Sequence, residues 1–129
     1  MVSENQPVQP APSTARTSQG ASSGFLMIGA AVIVAGHVLF GIIMGDFTYS
    51  TVYVAVSLLI LMSILAPNLR VGGTGTQRIL GYFLGLAGLL LLLSDARFGF
   101  PDGFVDNLAN LVFYGGAALA FIGALGLKD

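Results

Sequence analysis

Residues 25–45 read FLMIGAAVIVAGHVLFGIIMG, without a single Asp, Glu, Lys or Arg. A helix of roughly 20 apolar residues, rising about 1.5 Å per residue, matches the hydrocarbon core of a bilayer. Three further apolar stretches follow, at about 51–66, 78–94 and 107–127, with the charged residues at or beyond their edges. Transmembrane strands would alternate apolar and polar side chains with period two. The runs Leu89-Leu90-Leu91-Leu92-Leu93 and Ser57-Leu58-Leu59-Ile60-Leu61-Met62 do not alternate. The pattern predicts an all-α integral membrane protein, a four-transmembrane-helix bundle.

Composition points the same way. The chain has 129 residues, of which 55% are hydrophobic and 9% charged, and a mean hydropathy of +0.87. A soluble domain carries about a quarter charged residues, so this chain has too few to cover a surface facing water. The net charge of −1 gives no electrostatic footprint for nucleic acid. With no cysteine, disulfides, thiolate ligands and thiol catalysis are excluded.

Residues 1–23, rich in Pro, Ser, Thr, Gln and Ala, have too little apolar surface to offset the entropy of ordering them. They are expected to form a disordered cytoplasmic tail, with residues 24–129 as the transmembrane domain. The polar stretch is too long, and the apolar run after it too long, for a cleaved signal peptide. Pro67-Asn68 is expected to stop the second span. Asp95 to Asp106, with the Phe-Pro-Asp-Gly turn at 100–103, reads as the longest loop. Basic residues near span ends resist translocation. Placing both termini in the cytoplasm keeps Arg16, Arg70, Arg78 and Lys128 inside and leaves only Arg97 outside, in a plasma or inner membrane.

Lipid tails are as apolar as leucine, so helices in a bilayer associate through close backbone contact. Small residues four apart share one helical face. Gly41 and Gly45 on the first span, Gly81 and Gly85 on the third, and Gly116, Ala120 and Ala124 on the fourth are therefore the expected packing positions. Spans one, three and four would make the tight contacts, and the second would turn Leu58 to Met62 toward lipid or another subunit.

His37 is the only imidazole in the chain and the one ionisable side chain deep in a span. It lies about 12 Å from the outer end of its helix, at a depth shared by Ser57 and Tyr114, with Asn110 one turn from Tyr114. One reading makes His37 an axial ligand to a tetrapyrrole, haem or a chlorophyll-type pigment, with Tyr114 or Ser57 bonding the group's edge or the other ring nitrogen. Another has the three residues hydrogen-bonded to lock helices together. A third lines a path for a solute with them. Proton coupling usually requires a carboxylate at membrane depth, and none is expected inside a span. Nucleophilic catalysis lacks an oriented base, so no enzymatic activity is expected.

The outer loop carries Phe98, Phe100 and Phe104, which would anchor at the headgroups or pack on a partner. These features favour a small non-catalytic accessory subunit packed against a larger respiratory or photosynthetic membrane complex, or a homo-oligomer. The alternatives are a pigment- or haem-binding protein using His37, and a small oligomeric transporter or channel.

Overall fold

The computed structural model describes residues 13–66, 68 and 73–127. Four α-helices make up most of them: α1 (Ser13–Met44), α2 (Thr51–Leu65), α3 (Thr74–Phe98) and α4 (Phe104–Gly126). There is no strand among the described residues. Gly20–Met44, α3 and α4 are long and apolar enough to cross a membrane. The 15-residue α2 is equally apolar but shorter. Within the most apolar part of each long helix, no more than 39% is buried by the rest of the protein. Leu, Ile and Val cover what remains, a surface suited to lipid rather than water.

Helix ends depart from the sequence expectation in instructive ways. α1 begins at Ser13, so the stretch 13–23 expected in the tail is helical, while residues 1–12 lie outside the described residues. After Pro12 no residue breaks a helix until Gly20. Ser22 then gives the extension a docking contact, lying against Gly123 and Gly126 near the end of α4. Pro67, Arg70 and Lys128, on which the second span's stop and the orientation partly rest, also lie outside the described residues.

At the other end of the molecule, α3 continues past Ser94 to Phe98, and α4 starts at Phe104 rather than Asn107. Ala96 and Arg97 are good helix formers, and helix geometry ends only where Gly99 adopts φ +109°. That conformation is accessible to glycine and to almost nothing else. The Gly99 N–H donates to the Asp95 carbonyl, 2.8 Å. Asn107 holds the start of α4 by donating its amide to the carbonyls of Pro101 (2.5 Å) and Gly103 (3.0 Å). The connecting loop therefore shrinks to 99–103, and Asp95 and Arg97 move onto α3.

α4 packs between α1 and α3, while α2 rests against α1 and α3. The closest approach joins α1 and α4. A Cβ on Gly29 would lie 2.5 Å from the Gly116 carbonyl and the Ala120 nitrogen, and one on Gly116 would lie 2.9 Å from the Gly29 carbonyl. Leu26, Ala30 and Ile33 are fully buried along this seam. On the other side of α4, Gly81 faces Ala124 and the Ala120 carbonyl, Gly85 faces the Phe121 ring, and Gly88 faces Ala117.

Gly41 and Gly45 do something different from the helix packing expected of them. Gly45 has φ +74° with open space around it, and its N–H donates to the Gly41 carbonyl at 2.8 Å. That is the left-handed residue with which helices commonly end. A Cβ on Gly41 would meet the Asp46 carbonyl of the following loop at 3.2 Å. This pair terminates α1 and folds the loop back on it, without touching another helix. In α2, Ser57, Ile60 and Ser63 face inward, while Leu58, Leu59 and Met62 are exposed. The Gln77 amide reaches the Ser63 carbonyl at 3.5 Å and ties the start of α3 to α2.

Candidate functional site

The three polar residues expected at one depth go to three different places. Ser57 is fully buried, but its hydroxyl donates to the Tyr53 carbonyl of its own helix, 2.9 Å. His37 sits near the end of α1, where Nδ1 accepts the Tyr49 N–H at 3.1 Å and the ring stacks nearly parallel on Phe47. A backbone N–H can only donate, so Nδ1 is the acceptor and the neutral ring carries its proton on Nε2. While that bond holds, neither nitrogen offers a lone pair to a metal. His37 therefore acts as a clamp on the 45–50 loop, which removes the geometric basis for an axial ligand supported by Tyr114 and Ser57.

Tyr114 finds a partner that sequence reading had placed in a loop. Its phenol hydrogen-bonds Asp95 Oδ2 across the α3–α4 seam, and the Asn110 amide donates to the same oxygen at 3.3 Å. Asp95 is in the last turn of α3, and Asn110 and Tyr114 are four apart on one face of α4. In the sequence alone, the charge at 95 marks the end of a span. The first residue able to end the helix is Gly99, four positions on, and that signal would have put Asp95 inside α3.

Around this trio lies a cavity of about 340 Å³, bounded by Thr48, Tyr49 and Ser50 of the loop before α2, Tyr53 in its first turn, Leu91 and Asp95 of α3, and Asn110, Phe113 and Tyr114 of α4. Tyr49 is its best-anchored wall. Its hydroxyl donates to the Ala109 carbonyl at 2.6 Å, and its ring lies 5.1 Å from that of Phe113. Burial pushes the Tyr49 phenol up to about 12, because a phenolate would lose its hydration there. Phe113 also meets Tyr53, with centroids 5.3 Å apart. Thr48 Oγ1 is buried and has no hydrogen-bond partner among the described residues. Chemically, this is a carboxyl acceptor in an aromatic-walled cleft.

Two other concave surfaces are of a different kind. A groove of about 260 Å³ between α3 and α4 is lined by Gly85, Gly88, Leu89, Ala117, Ala118 and Phe121, with Tyr114 at its margin. It is almost wholly apolar. A shallow hollow of about 440 Å³ beside His37 is bounded by Val38, Ile42, Asp46 and Phe47. Phe98 and Phe104 are each 78% exposed and Phe100 is 49% exposed, and the Arg97 guanidinium lies 5.5 Å from the Phe98 ring. Comparison of the chain with protein-family models, with curated proteins and with solved structures finds no match.

Proposed function

We propose that the chain is a non-catalytic accessory subunit of a larger membrane assembly, crossing the bilayer four times with both termini in the cytoplasm. The observation that carries this reading is the apolar α3–α4 groove, floored by Gly85, Gly88, Ala117 and Ala118. Small residues in a bilayer permit close approach of another helix. The exposed Phe98 and Phe104 extend the apolar surface at the end of the same two helices. As a fourth crossing, α2 spans about 22 Å, a shortfall that tilt of its neighbours and local thinning of the bilayer accommodate.

Purification from the native membrane in mild detergent, followed by size exclusion, tests this. Co-elution with larger subunits, lost on Ala118→Leu at the exposed edge of the groove, is the expected result. A wild-type chain that runs alone at its own size would retire it.

The cavity around Asp95 favours a second reading, a small oligomeric transporter or channel. A carboxylate held within the span of a membrane helix commonly marks a substrate or ion path. Its test is flux of a solute into liposomes that is abolished by Asp95→Asn.

A further inference from the structure

Both protein donors to Asp95 reach one oxygen, Oδ2, and both are neutral. Among the described residues no hydrogen bond reaches Oδ1. Tyr49, Tyr53, Phe113 and Tyr114 line the cavity beside it. Each feature has a chemical requirement. A carboxylate drawn partly out of water is costly unless a counter-charge accompanies it. Aromatic rings attract cations through their negative faces.

One ligand chemistry meets both requirements. We propose that this cavity binds a small protonated amine. Its ammonium sits on Asp95 Oδ1, and its alkyl part lies against Tyr53, Leu91 and Phe113. An ammonium has three donors and no acceptor, which suits a site whose open position is a carboxylate oxygen. A divalent metal ion would require about six oxygen ligands in the case of calcium or magnesium, and the tyrosine and phenylalanine rings and Leu91 do not provide them. About 340 Å³ falls within the range of small-molecule sites and has room for an amine of several carbons. The proposal rests on the second reading of the pocket as a functional site, but it requires binding only.

The test is calorimetric titration of the full chain in lipid nanodiscs with butylammonium, with potassium and 1-butanol as separate ligands. Saturable binding of butylammonium alone is expected. Asp95→Asn should weaken it at least about tenfold, the loss of one charge-assisted hydrogen bond. Asp102→Asn, in the exposed 99–103 loop, should leave it unchanged. Leu91→Trp fills the cavity and abolishes binding, which keeps the test decisive if Asp95→Asn fails to fold. Equal binding by Asp95→Asn or by Leu91→Trp would overturn the proposal. Potassium or butanol bound as tightly as the amine would also overturn it. Binding without butylammonium flux in liposomes would uphold the site and retire transport.

Discussion

Tyr49 is held at three points: its N–H by His37, its hydroxyl by the Ala109 carbonyl, and its ring by Phe113. It thereby fastens the 45–50 loop to α1 on one side and α4 on the other. His37→Ala removes the acceptor for a partly buried N–H and should destabilise the protein by about 1–2 kcal/mol, measured by thermal unfolding in detergent. The pH response of Tyr49 follows from its raised pKa. Below about pH 10, the ordinary phenol value, folded and unfolded chains both keep the proton and the group has no effect on stability. Between pH 10 and about 12, only the unfolded chain has released it, so stability falls as pH rises. Tyr49→Phe should shrink that alkaline loss relative to wild type while costing stability at neutral pH, and identical alkaline slopes for the two would refute the assignment. At this scale the sequence was only half legible. Depth along a helix follows from counting residues, but the direction a side chain faces does not. Counting puts Ser57 and Tyr114 at the depth of His37, yet the three bond to Tyr53, Asp95 and Tyr49 respectively and not to one another. Asp95 was missed because a charge was taken for a boundary.

Elements were more legible than residues. Apolar runs of the right length, without alternation, became helices, and glycines four apart on α3 lie against α4. The same spacing at Gly41 and Gly45 serves to end a helix, and what separates the two cases is position: Gly45 abuts Asp46, where the apolar run stops. Neighbouring glycines on α4 give a sharp test of packing. A side chain at Gly116 would collide with the Gly29 carbonyl and Ile33, whereas Gly115 faces open space. Gly116→Val should destabilise by about 1–3 kcal/mol. Gly115→Ala should be neutral or stabilise by up to about 1 kcal/mol, since alanine is the better helix former. Equal effects of the two substitutions on detergent-solubilised unfolding would contradict the α1–α4 seam. Helix ends were the least legible, because they depend on tertiary partners. Ser22 docks on α4, and Asn107 binds two carbonyls of the preceding turn, neither of which periodicity reports.

For the whole molecule, composition announces a membrane protein, and three of the four helices have the length to cross. The orientation proposed here is testable because the chain contains no cysteine. In intact cells Asp102→Cys should react with a membrane-impermeant maleimide, while Ser3→Cys should react only after permeabilisation, and the reverse pattern would invert the topology. The order of contacts has a further consequence, for biogenesis. The most intimate seam joins the first helix to the last, so α1 leaves the ribosome about eighty residues before Gly116, Ala120 and Gly123 are all available to it. At about 5–20 residues per second, α1 waits roughly 4 to 16 s with Gly29 and Leu26 uncovered. During that interval the insertion machinery, lipid or a chaperone must occupy the face that α4 will claim. A nascent chain arrested before α4 should therefore be the species on which quality control acts.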